Sequence, residues 1–483
     1  MPNPITDSND FDPGRSPQEK ALLACLSLLL VFLPWALGTM HVWSQFTALG
    51  LAALCLLLAL LPRPSDPVTP GIVKLARFPV FYLGLALMGY ITIQGLNPAW
   101  RYFELGGYWY MLPINDHITW LPTGTRTAFE QSNPFRYLVI LGIPFLAVCS
   151  IWCGITRRES IFFLLILLVL NGVVLAILGF AQIFTGADKI FWTIEHSARH
   201  TVASFIYRNH AAAYFNLMVG LSGAMALYYF HDGRLMLRRS DPSGIFLFFA
   251  VIILAVVGLS LSRAGAVLGT ITLLSLFCVF LFHALVQQTT RTNKLIAVFV
   301  MALVVAFGGY LVSQVDYDRL IDRFDQISEL DDRPWEVRWS ATKATAEMFS
   351  DSWLYGTGAG SFRWLFPAYQ DWEVESGAFG ADRLWQYAHN DLLQFPAELG
   401  VVGMGIIFLM LGYFGWQLLT RRTLRSPLAF FLLFTLGITM VHNAVDFNFQ
   451  NPAILTTWGT LLALTAVLVR MERVSERRRR RRA

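Results

Sequence analysis

Apolar residues in this chain come in runs of about twenty, the length an α-helix needs to cross the ~30 Å hydrocarbon core of a bilayer. Nothing else in the sequence restricts the fold as severely, because a backbone surrounded by hydrocarbon has to satisfy its own amides and carbonyls. The runs predict about twelve spans, near 21–39, 45–62, 76–94, 135–155, 160–182, 209–230, 244–262, 265–286, 294–313, 397–419, 428–445 and 453–470. At 55% hydrophobic and 14% charged residues, the composition excludes an ordinary soluble protein. The expected fold class is all-α: a polytopic membrane protein with a large, partly helical outer loop.

Lysines and arginines in short loops stay on the cytoplasmic side, so their distribution sets orientation. With the N-terminus inside, the inner loops carry Arg63, Lys74 and Arg77, then Arg157 and Arg158, Arg234, Arg238 and Arg239, Arg291 and Lys294, and Arg421, Arg422 and Arg425. The basic tail, 471–483, also falls inside, as does the polar segment 1–19, leaving 20–470 as one membrane domain with outer loops 95–134 and 315–395. The net charge of +5 reflects these loops and the tail, which reads as a topology anchor on anionic lipid and not as a nucleic-acid surface. All five cysteines lie in expected spans, as packing residues. The first apolar run lacks a small-residue cleavage site and reads as a retained span.

Function is therefore sought in the outer loops. The first is aromatic-rich, with Trp100, Tyr102, Phe103, Tyr108, Trp109, Tyr110 and Trp120. Such residues read first as an interfacial belt, with stacking on sugar rings the alternative. In the second, Leu320, Ile321, Phe324, Ile327 and Leu330 recur at helical spacing and predict an amphipathic helix; another begins at Pro334 and runs to about Phe349.

Ionisable groups at membrane depth are costly, so each asks for a reason. Arg263, in Leu261-Ser262-Arg263-Ala264-Gly265, falls at the outer mouth between the seventh and eighth spans. It either snorkels to end a helix or grips diphosphate oxygens bidentately while a lipid tail stays in hydrocarbon. Arg338, in Glu336-Val337-Arg338-Trp339, either approaches from the loop side or is an exposed helix charge. Arg208, Asn209 and His210 open the sixth span and either line a donor cavity or anchor the helix. The stretch Tyr387-Ala388-His389-Asn390-Asp391-Leu392-Leu393-Gln394, followed by Glu398-Leu399-Gly400, places a histidine and a carboxylate at the bilayer surface.

Together these stretches resemble the O-antigen ligase and polymerase superfamily of bacterial membrane glycosyltransferases, over roughly the last half of the chain. His389, Asn390, Leu393, Glu398 and Gly400 fit the family's His-Asn motif, while Leu392 stands where an aromatic is commoner. The segments Tyr355-Gly356-Thr357-Gly358-Ala359-Gly360-Ser361-Phe362 and His442-Asn443-Ala444-Val445-Asp446-Phe447-Asn448-Phe449 also look like family features. The resemblance implies transfer of a glycan from undecaprenyl diphosphate to lipid A-core or another glycan acceptor, at the periplasmic face of the bacterial inner membrane. It implies that Arg263 and Arg338 hold the diphosphate, with Arg208, His210 and Asn390 as further substrate-binding candidates, and that His389 is catalytic. Glu398 either orients His389 or hydrogen-bonds backbone as a buried helix residue. Neither metal nor other cofactor is implied, since two arginines can stabilise a leaving diphosphate and a neutral imidazole can deprotonate a hydroxyl. Ligase and polymerase both fit, and the paired-arginine and His-Asn pattern favours ligase.

Weaker signals carry less. Asp316-Tyr317-Asp318 has the form of a metal-binding Asp-x-Asp but opens an amphipathic helix; the glycine cluster lacks the Lys-Ser/Thr of a P-loop; His196 and His200 show no third ligand. The rival from another class is a transporter of a lipid-linked glycan or small anion, which should show polar residues deep within several spans. Here they are few, Asn171 and Asn216 among them. A third possibility is an inert partner in an envelope assembly.

Overall fold

The computed structural model describes residues 15–62, 70–195, 201–235, 241–287, 334–371, 385–420 and 426–482, together with 302 and 423. Among the described residues the fold is all-α but for one small sheet. The longer apolar helices among these residues are α1 (Pro17–Trp35), α2 (Val42–Leu60), α4 (Pro79–Leu96), α5 (Pro134–Gly154), α6 (Arg158–Phe184), α7 (Arg208–Leu235), α8 (Ser243–Leu259), α9 (Arg263–Gln287), α12 (Asp391–Leu418), α13 (Pro427–His442) and α14 (Pro452–Arg482). Nine of these are long and apolar enough to cross a membrane, and α8 and α13 are shorter apolar helices. The short α3 (Gly71–Ala76) lies between α2 and α4, and α10 (Pro334–Asp351) and α11 (Phe362–Leu365) precede α12. The expected span near 294–313, apart from residue 302, and the amphipathic helix over 316–330 lie outside the described residues, as do His196, His200 and Asp316 to Asp318.

The helix starts follow from local chemistry. Pro17, Pro79, Pro134 and Pro427 sit in first turns, where a missing N–H is harmless, and Ser16, Asn133 and Ser426 accept the first free amides through their side chains. Helices pack closely where side chains vanish: a Cβ on Gly220 of α7 would stand 2.1 Å from Thr435 Oγ1 of α13. Four of the five cysteines are buried in this packing, while Cys278 on α9 is exposed.

The first outer loop departs from a plain aromatic belt. It folds into strands β1 (Pro98–Leu105), β2 (Tyr108–Pro113) and β3 (Gly124–Arg126), ordered β2-β1-β3, with β1 antiparallel to β2 from Trp100 opposite Pro113 to Leu105 opposite Tyr108. Tyr102 and Trp109 leave the belt and pack edge-on against Trp364, at 5.1 and 5.6 Å between ring centres, and the Trp364 indole N–H donates to Ser132 O at 2.7 Å. The two outer loops therefore meet on one face.

Candidate functional site

Helix α12 is broken in its N-terminal half. Gly400 takes φ 63° and ψ −175°, conformations open to glycine alone, and the intrahelical ladder lapses around it. Residues 353–358 repair the gap. Thr357 and Gly358 donate their N–H groups to Ala397 O and Glu398 O, each at 2.9 Å, and Val401 and Val402 donate to Trp353 O and Leu354 O at 2.8 and 3.1 Å. The Tyr90 hydroxyl of α4 braces the junction, 2.6 Å from Tyr355 O and 2.8 Å from Leu399 O. This contact explains the glycine stretch: a Cβ on Gly356 would lie 2.4 Å from the Glu398 carbonyl.

The side chains of the outer piece then set the His-Asn turn. Glu398, fully buried, accepts the N–H groups of Gly360 and Phe362 at 3.1 Å each and the Gln394 amide at 3.2 Å. Gln394 Oε1 accepts the N–H of Ala388 at 2.8 Å. Glu398 thus reaches the turn through Gln394 and not by touching His389. Asp391, also buried, accepts the Phe449 N–H at 2.7 Å and the Gln450 amide at 3.2 Å, while its own N–H donates to Asn443 O and Asp446 O at 2.9 and 3.1 Å. That clamp fixes the connection between α13 and α14 against the start of α12. Asn390 is the helix-capping residue by position, yet its side chain makes no capping bond and its Oδ1 is buried without a hydrogen-bond partner.

His389 sits in the left-handed region at φ 51°, a conformation that costs a non-glycine residue roughly 1–2 kcal/mol. Its Nδ1 lies 3.6 Å from Asp446 Oδ1, an ion-pair distance too long for a hydrogen bond. The imidazole side chain is 24% exposed and is walled edge-on by Phe447 and Trp385, at 4.7 and 5.4 Å between centres. Burial is the largest influence on the Asp446 carboxyl and raises its pKa, but the imidazoles of His389, His442 and His210 together hold it below its ordinary value. Phe447 is stacked against both Tyr207, at 4.9 Å, and Tyr387, at 4.4 Å.

His210 lies behind this wall, 2% exposed. Asn451 Oδ1 accepts the N–H groups of Ala453 and Ile454, so its amide nitrogen faces His210 Nδ1 at 3.4 Å as the donor. His210 is thereby assigned its proton on Nε2, which donates to Phe447 O at 3.2 Å. The residue anchors the 446–451 connection and does not face open space.

Three arginines complete the site from three elements. Arg208 is the first residue of α7, Arg263 the first of α9, and Arg338 lies on α10. Arg208 interacts electrostatically with both Arg263 and Arg338, and Tyr207, which touches the His389 ring at 6.3 Å, feels Arg338, Arg208 and Asp446. Arg263 and Arg338 are exposed and Arg208 partly so. Helix N-termini already carry partial positive charge, so cations placed there raise the local potential, and a polyanion would lower it.

The structure thus brings Arg208 within electrostatic range of Arg263 and Arg338, links Arg208 and Arg338 to the His389 ring through Tyr207, and gives His210 and Glu398 backbone partners away from that ring. Sequence reasoning left Asp391, Tyr207 and Phe447 without roles, and named Asp446 only as part of a family-like segment. The usable signal for Asp391 was its place inside the His-Asn motif; its partners lie 58 and 59 residues away.

Residues 248–408 match the family model described as O-Antigen ligase. The resemblance to that superfamily holds over this segment, which contains Arg263, Arg338, His389, Asn390 and Glu398 and stops short of the α13–α14 connection. Among curated proteins, none matches the chain. The match supports a membrane enzyme of the O-antigen ligase and polymerase type, acting on lipid-linked glycan and acceptor in general terms.

Proposed function

We propose that this protein transfers a glycan from undecaprenyl diphosphate to an acceptor hydroxyl at the periplasmic face of the bacterial inner membrane, both chain termini being cytoplasmic, and that it does so as an O-antigen ligase. The carrying observation is the convergence of Arg208, Arg263 and Arg338 beside His389, two of them on helix N-termini. Three like charges so placed favour a ligand with several negative charges, and a membrane-borne diphosphate is one. As the bond from the anomeric carbon to the diphosphate oxygen breaks, the guanidinium groups stabilise the departing charge. The acceptor oxygen forms the new bond to that carbon and gives its proton to His389. Asp446, on the Nδ1 side of the ring at 3.6 Å, stabilises the imidazolium and leaves Nε2 to receive the proton. Asn390 contacts substrate, while Glu398 and His210 act as positioning residues through Gln394 and Phe447. No metal takes part in these steps.

The test reconstitutes purified protein in lipid with undecaprenyl-diphosphate glycan and either lipid A-core or a second lipid-linked repeat, without added metal, and reads product by mass. Wild type yields product on lipid A-core, and Arg338→Ala and His389→Ala lower turnover at least about 100-fold. Product only on the second repeat would make the protein a polymerase. Absence of product with either acceptor, despite bound donor, would overturn the transferase reading.

A further inference from the structure

A second basic pocket lies on the Tyr387 side of Phe447. It is a partly open polar cavity of about 190 Å³ whose lining includes Arg136, Arg363, Tyr137, Tyr387 and Gln450, with exposed Gln386 at its rim. At about 30 Å³ per water molecule, that is room for roughly six waters or one small ring.

The two arginines differ in how they are held. Arg136 is fixed by donating to Gln45 Oε1 at 3.2 Å, Met40 O at 3.0 Å and Glu130 O. Arg363 is held by stacking its guanidinium 4.5 Å from the centre of the Trp364 ring, and among the described residues it makes no hydrogen bond and no ion pair. The acids nearest the pocket, Glu398 and Asp391, are committed to Gly360, Phe362 and Gln394, and to Phe449 and Gln450. Among the described residues the Arg363 guanidinium therefore has no ion-pair partner at the cavity, and it lies beside an aromatic cluster of Trp364, Tyr102 and Trp109 that suits the apolar faces of sugar rings. It is also tied to the reacting turn, since Gln450 binds Asp391 and Tyr387 stands two residues before His389.

We propose that this cavity holds the acceptor through an oxyanion carried on one of its sugars, a sugar carboxylate or a sugar phosphate, and so presents the acceptor hydroxyl to His389 from the side away from the Arg208 cluster. The proposal rests on the transferase reading above. Its test is a binding measurement, so it fails separately from that reading.

Purified protein in lipid nanodiscs is titrated with glucuronate, glucose 6-phosphate, inorganic phosphate and glucose, following Trp fluorescence and calorimetry, for wild type, Arg363→Gln and Arg338→Ala. Among the described residues Arg363 makes no hydrogen bond, so Arg363→Gln tests the pocket with the fold intact; equal thermal midpoints check this. Expected is saturable binding of one or both sugar anions to wild type and to Arg338→Ala, weakened at least about tenfold in Arg363→Gln, with glucose silent. Glucuronate alone names a carboxylate and glucose 6-phosphate alone a phosphate. Binding of inorganic phosphate with both sugar anions silent would overturn the assignment to a sugar. Equal binding to wild type and Arg363→Gln, or no binding of any probe, would overturn the site.

Discussion

Helices α7 and α14 are 94% and 89% buried within the protein over their most apolar stretches, whereas α12 is only 22% buried. The enclosed pair are unbroken scaffolds, and the exposed helix carries the His-Asn motif and the break at Gly400. The low figure belongs to the stretch beyond the break; before it Asp391, Gln394, Ala397, Glu398 and Leu399 are buried, so the candidate turn is held by a short buried piece of an otherwise exposed helix. Order comes from backbone pairing with residues 353–358 and from buried carboxylates, where α7 and α14 rely on close packing.

The sharpest way to break this comparison is at Gly400. Gly400→Ala places a Cβ 2.4 Å from Leu354 O at a positive φ, and should cost more than about 3 kcal/mol, read as a fall in the unfolding midpoint in detergent. Gly405→Ala in the same helix meets nothing within 4 Å and should be neutral or stabilising by about 0.5 kcal/mol. Equal effects at the two glycines would remove the break as a special feature. Next in size, Asp391→Ala strands the Phe449 amide and the Gln450 side chain, and should cost about 2–3 kcal/mol and lower turnover as the α13–α14 connection loosens.

A smaller effect separates the strain of the turn from its chemistry. His389→Gly and His389→Ala should both abolish transfer, but the glycine variant should be the more stable by about 1 kcal/mol, because it takes φ 51° freely. Unfolding midpoints of the two variants check this. The least effect is that of pH. Asp446 has a folded pKa below its ordinary 3.8, so its stabilising contribution is complete above that value and disappears as pH falls through the lowered one. Asp446→Asn should flatten that acid limb in midpoint-against-pH curves.

The described spans were legible because hydrocarbon demands long apolar runs, and Pro334 marked where α10 begins. The His-Asn motif and the arginines were legible as charges that a membrane edge would not otherwise keep. The break was not, since Gly405, Gly412 and Gly415 lie in the same helix and give no sign that Gly400 alone leaves it. Nor was the small sheet: aromatics in an outer loop suit an interfacial belt as well as strands, and only the contact of Tyr102 and Trp109 with Trp364 decides. The roles of Asp391 and Arg363 depend on partners remote in sequence or on a cavity, neither of which a local pattern records.

The break also has a direction in time. Residues 353–358, Tyr90 and Gln94 all precede Gly400 in the chain, so each group that completes the interrupted helix is synthesised before the helix itself. When α12 leaves the ribosome, its missing partners already exist, and its unpaired amides and carbonyls can be met on arrival. A circular permutant that moved 353–358 behind α12 would keep every native contact and lose that order of assembly.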